Sequence, residues 1–186
     1  VDTHQVDTPT SAPTSRRALI ASLLAGGAAV AVAPFLASRA SAAEATPPMR
    51  DAGDNASLNA DLEREARMAA TYAIAVAALK GDDAAALLLI HDHHVAYAQA
   101  LKGYLAVEAI KPNKAPLASP TGSFAAIANQ LAALEDQTAA MHIDSLATIK
   151  GLDAAKLLAS IVTVEARHAA ALQVVAGAAP LTAAGN

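Results

Sequence analysis

Glutamate and histidine recur on regular stripes through this 186-residue chain. Glu65 shares a stripe with Leu58, Leu62, Ala69, Tyr72, Val76 and Leu79. His91 and His94 fall with Leu87, Ala98, Leu101 and Leu105, and Glu135 and His142 with Ile127, Leu131 and Thr138. Glu165 and His168 fall with Leu158, Ile161, Leu172 and Val175. Spacings of three and four put side chains on one helix face, so these ionisable groups stand where apolar ones belong. A carboxylate buried alone is costly, and cores accept it when it is paired or binds a metal. With imidazoles it forms the nitrogen and oxygen donor set of a divalent ion. The i, i+3 pairs His91/His94 and Glu165/His168 can each aim both side chains at one place.

The candidate ligands are therefore Glu65, His91, His94, Glu135, Glu165 and His168, with Tyr72 and His142 as supporting groups around them. Asp92 and His93 fall off the inner stripe and read as solvated. Other readings compete for single motifs: a lone Glu-x-x-His arises often by chance, and Glu65 could pair with Arg64 or Arg67. The set favours metal, because the first and third stripes give one Glu each and the second and fourth an i, i+3 pair each. That repetition makes the two halves pseudo-symmetric.

Helix signals position these stripes. Asn55 or Ser57 can cap a first helix running to about Leu79, and Lys80-Gly81 supplies a stop. Asp82 caps a second helix from about Asp83 to Ile110, ahead of Pro112. Ser123 caps a third to about Ile149, Lys150-Gly151 repeats the stop, and a fourth runs from about Asp153 to Ala176. The tight turns at Gly81 and Gly151 require two antiparallel hairpins. Between them Pro112, Pro116 and Pro120 keep residues 111–122 extended. Such a segment reaches up to about 40 Å, and a 25-residue helix is about 38 Å long. It can cross the bundle from end to end and leave the second and third helices parallel; an up-down-up-down bundle is the alternative. The expected fold is an all-α four-helix bundle over residues 57–177, with a tail from 178 to 186.

Composition agrees: 54% of residues are hydrophobic and only 3% aromatic, with alanine the main contributor, which favours helices over strands. A net charge of −4 without a basic cluster argues against nucleic acid as a partner. The absence of cysteine excludes disulfides and thiolate metal sites. Nothing suggests a hydrolase, since Ser160 and Thr163 lie in helix interiors with no base at hand.

The first forty residues read as an address. Arg16-Arg17 precedes an apolar stretch from Ala18 to Ala37, and Ala40-Ser41-Ala42 offers small residues to a signal peptidase, so cleavage is expected after Ala42. An uncleaved membrane anchor is the other reading. Residues 43–56, with Pro47, Pro48 and Gly53, read as a flexible leader.

With these motifs the chain resembles the ferritin-like superfamily, in particular exported, alanine-rich bacterial ferritin-like proteins with a twin-arginine signal, over about Ser57 to Ala176. The resemblance implies two ferritin-like hairpins joined by a long crossover. It also implies a di-iron or related dinuclear centre held by Glu65, His94, Glu135, Glu165 and His168, with Tyr72 beside it. His91 stands where the family offers a second bridging Glu, which leaves iron, manganese, a mixed pair, zinc or copper as candidate cofactors. The implied function is an exported metal-binding protein with oxidase or peroxide chemistry; a non-enzymatic bundle for storage, scavenging or interaction is the alternative. The implied partner is the twin-arginine (Tat) export machinery, with room for a homodimer. The implied location is periplasmic, cell-wall associated or secreted, with a mature protein outside the membrane.

Overall fold

The computed structural model describes Ala18 and residues 50–177. The expected signal (Arg16, Arg17, Ala40, Ala42), most of the leader and the tail from 178 lie outside the described residues. Four long helices carry the structure: α1 (Asn55–Ala77), α2 (Gly81–Leu105), α3 (Phe124–Leu146) and α4 (Leu152–Val175). No strand occurs among the described residues.

The local signals act largely where the sequence places them. The Ser123 hydroxyl accepts from the Ala126 amide and caps α3. Gly81, at φ +58°, supplies the left-handed residue between α1 and α2. α2 ends five residues before the expected Ile110, because Ala106 turns to φ +52° and begins a short 3₁₀ turn, Ala106–Glu108. The turn is tied to α1. Asn59 Nδ2 donates to the Glu108 carbonyl at 3.0 Å, and Asn59 Oδ1 accepts from the Ile110 amide at 2.9 Å.

The crossover then runs up α1, held by Arg67 Nε on the Ala115 carbonyl and by the Leu117 amide on Thr71 Oγ1. α1 pairs with α2 and α3 with α4 as antiparallel hairpins. Contacts of Asp61 with His142 and of Arg64 with Thr138 run α1 antiparallel to α3, so α2 and α3 are parallel, as the long connector predicts.

Helical structure is present before the expected boundary at 57. Ala52–Asp54 forms a 3₁₀ turn, and Asp54 is buried. Its carboxylate makes no cap bond to α1. Instead it accepts from the Lys150 and Gly151 amides at 2.8–3.2 Å, satisfying the turn that opens α4.

Two apolar layers fill the bundle. One gathers Met68, Tyr72, Leu87, Ile90, Ile127, Leu131 and Leu172, the other Leu58, Leu62, Tyr97, Leu101, Leu157, Leu158 and Ile161. α4 is long and apolar enough to cross a membrane, a property its place in this core accounts for.

Candidate metal centre

Between the two apolar layers lies a polar one. Glu65 of α1, His94 of α2, Glu135 and His142 of α3, and Glu165 and His168 of α4 are all fully buried. Their donor atoms form two triads, His94/Glu135/His168 and Glu65/His142/Glu165, with the ligand atoms of each within 4.8 Å of one another. Each triad takes donors from both hairpins.

His94 links the triads. Its Nδ1 is 2.7 Å from Glu65 Oε2 and its Nε2 3.0 Å from Glu135 Oε1. Burial opposes a charge on this ring, but Glu135 and Glu65 outweigh burial and raise its pKa well above the usual range. Burial also pushes Glu135 up, yet His94 and His168 hold it down to about 2; His94 and His142 likewise keep Glu65 low. The Tyr72 hydroxyl donates to Glu135 Oε1, and burial beside that carboxylate keeps the phenol protonated.

His142 is held from behind. Its Nδ1 is 2.9 Å from Asp61 Oδ1, which also accepts from Ser145 Oγ at 3.0 Å. A carboxylate on one imidazole nitrogen fixes the ring and leaves the other nitrogen as donor, the usual support of a metal-bound histidine. That other nitrogen, Nε2, lies 2.7 Å from Glu65 Oε1 and 3.4 Å from Glu165 Oε1.

Glu165 is the stressed member. Neither of its oxygens has a hydrogen-bond partner, and burial together with the charge of Glu65 pushes its pKa up to about 8 against the pull of His142. A buried carboxylate without a hydrogen bond, facing another carboxylate and reached only by His142 at 3.4 Å, is the arrangement a bound cation resolves. The donors are oxygen and nitrogen only, which suits a divalent first-row ion. The residues therefore fit a divalent metal.

The sequence reading needs correction at three positions. His91 does not join the centre: its side chain is 24% exposed, its Nδ1 is 2.9 Å from Asp92 Oδ1, and it lines a surface cavity of about 640 Å³ between α1, α2 and the crossover. His142 moves from a supporting place into a triad. His93 is not simply solvated, for its Nδ1 lies 2.9 Å from His168 Nε2 with the rings stacked at 5.2 Å. Burial and the neighbouring His168 depress the His93 pKa to about 4. Asp61 is missed altogether, although it lies four residues before Glu65 on the same helical face.

The order of donors along the four helices, Glu on α1, His on α2, Glu on α3 and Glu-x-x-His on α4, now stands on a bundle with a crossover. Residues 52–178 match the family described as Ferritin-like domain. The chain belongs to that ferritin-like family. No curated protein and no solved structure matches it. The matched span of the ferritin-like domain begins at the 3₁₀ turn that carries Asp54, so the turn belongs with the bundle.

Seen as a ferritin-like centre, the site is closed on one side by Arg64. Its Nε donates to Thr138 Oγ1 at 2.8 Å across the α1–α3 seam, with Nη2 at 3.5 Å from the Leu134 carbonyl. Three further buried polar atoms, Asp61 Oδ2, the Tyr97 hydroxyl and Arg167 Nη1, have no hydrogen-bond partner.

Proposed function

We propose that the chain is an exported ferritin-like protein whose two triads hold a pair of divalent ions, iron or manganese, for chemistry with oxygen or peroxide. Glu65, His142 and Glu165 would hold one ion and His94, Glu135 and His168 the other. The observation that carries this reading is Glu165, fully buried, without a hydrogen bond and set among carboxylates. Such ions supply one-electron redox chemistry and Lewis acidity when bound.

The chain's own residues set the conditions. Asp61 orients His142, the Tyr72 hydroxyl holds one oxygen of Glu135, and the apolar layers above and below keep water out. Because His94 and His142 carry raised pKa values, binding an ion must release their protons, so affinity rises with pH.

The Arg16-Arg17 pair, the apolar stretch and Ala40-Ser41-Ala42 support export through the twin-arginine route and cleavage after Ala42. That route delivers folded protein, so the centre could be loaded before export, away from zinc and copper, which bind such donors more tightly than manganese or ferrous iron. Complete burial of all six donors favours a second reading, in which the ions are held without turnover.

Elemental analysis of exported protein should find about two ions per chain, as the two triads require. Less than about half an ion per chain, with none taken up after chelation, would refute a metal centre. A change in the visible absorption on adding peroxide separates redox use from simple holding.

A further inference from the structure

The six donors of the two triads have no exposed surface, so an ion needs a path inward. On the α1–α3 side the seam is covered by the Arg64 guanidinium, whose charge repels a cation. On the α2–α4 side the situation differs. His168 turns Nδ1 inward to Glu135 Oε2 at 3.3 Å and Nε2 outward to His93 Nδ1 at 2.9 Å, and His93 is only partly buried. His93 is thus a partly exposed imidazole in direct contact with a buried donor.

We propose that His93 is the port ligand of the centre: an incoming divalent ion binds His93 and His168 first, then passes along His168 to the triad with His94 and Glu135. This rests on the reading of the triads as metal sites. Two nitrogens bound to one ion at about 2.0–2.1 Å each lie about 2.9 Å apart at a right angle and about 3.3 Å apart at the tetrahedral angle. The observed separation of His93 Nδ1 and His168 Nε2 is 2.9 Å, so a tilt of the two rings and a shift of at most about 0.4 Å let the pair trade the shared proton for an ion. The ion leaves the pair inward because only the inner triad adds a carboxylate, Glu135, to the imidazoles. His93 adjoins a ligand in sequence yet holds no place in either triad, which suits a residue that handles ions in transit.

The test compares the full chain with His93→Ala and His93→Phe after chelation, the second variant keeping an aromatic ring against His168. Cobalt(II) is added and its visible d–d absorption followed by stopped flow, with elemental analysis at the end point. A port predicts at least tenfold slower loading and at least tenfold slower extraction by chelator in both variants. The final ion count and final spectrum should equal those of the native chain. Loading and extraction within twofold of native in either folded variant overturn the port. A lower ion count or altered final spectrum also overturns it, by making His93 a permanent ligand. If the native chain takes up no cobalt at all, the metal-centre reading fails first and the port with it.

Discussion

Glu165→Gln should stabilise the metal-free protein at alkaline pH while weakening its response to metal. The folded chain holds the Glu165 pKa at about 8 against an ordinary 4.5, through burial and the charge of Glu65. At about 1.4 kcal/mol per pKa unit, keeping this group ionised in the folded state costs on the order of 5 kcal/mol at pH 9. The sign follows from the raised value: the stability is present below the unfolded pKa and is lost as pH rises through about 8. Glutamine has nearly the same shape and no charge, but its amide inherits the missing partners, a cost of about 1–3 kcal/mol. The net gain at pH 9 is therefore about 3 kcal/mol, or roughly 10 °C in Tm for a domain of this size. At pH 5, where the folded Glu165 is protonated, the gain should vanish or reverse.

Calorimetric melts of both proteins after chelation, at the two pH values, measure the difference. Glu65 and His142 feel the Glu165 charge, so the comparison reads the change of this interacting group as a whole. Saturating metal at about a thousandfold its Kd should add about 4 kcal/mol to the native protein and clearly less to the variant, which lacks an anionic donor. Equal destabilisation of the variant at both pH values, or an equal gain from metal in both proteins, would refute a charge-stressed Glu165.

Asp61→Asn, which weakens the acceptor behind His142 Nδ1, should lower metal affinity by about 10–100-fold with little change in final ion count; competition with a chromophoric chelator reads it. Asp54→Ala removes the acceptor for the Lys150 and Gly151 amides and should cost about 1–2 kcal/mol in urea unfolding while leaving the metal stoichiometry unchanged. His91→Ala should leave ion count and affinity at native values by isothermal titration, since its ring faces the outer cavity. Tyr72→Phe strips a donor from the ionised Glu135 and should destabilise the metal-free protein by about 1.5–3 kcal/mol near neutral pH, measured by the same melts.

Much of the bundle is legible in the sequence because its punctuation is strong. Ser123, Gly81 and three prolines between the hairpins leave little freedom in where the helices stop or how the crossover runs. The donors Glu65, His94, Glu135, Glu165 and His168 are legible for a related reason: each sits on a three-four stripe among leucines or isoleucines. The second helix misleads. Its inner seam is Leu87, Ile90, His94, Tyr97, Leu101 and Tyr104, all buried, whereas the stripe through His91 and Ala98 is equally regular. In an alanine-rich helix the small residues fit either face, so the rotation is fixed by its bulky members. Ile90 and Tyr97 carry that signal, and they turn His91 out and leave His93 against His168.

Asp61, and the rank of His142 as a donor rather than a support, escape for a different reason. Two turns beyond Glu135 and one turn before Glu65, they meet across the α1–α3 interface, a pairing set by the vertical register of two antiparallel helices. Helical periodicity fixes which face a residue is on but not its height against a neighbour. The early end of α2 is likewise tertiary, since Asn59 on another helix anchors the turn at Glu108 and Ile110.

Because each triad mixes donors from both hairpins, neither hairpin can assemble a triad alone. The chain from Asn55 to Leu105 supplies only Glu65 and His94, and the remaining four donors lie beyond Phe124. If the triads hold metal as proposed, tight capture must wait until the second hairpin has docked on the first, a contact between residues far apart in sequence. The time at which a refolding molecule first holds metal tightly then marks the closing of its two halves, and an ion present during refolding selects for chains that have completed it.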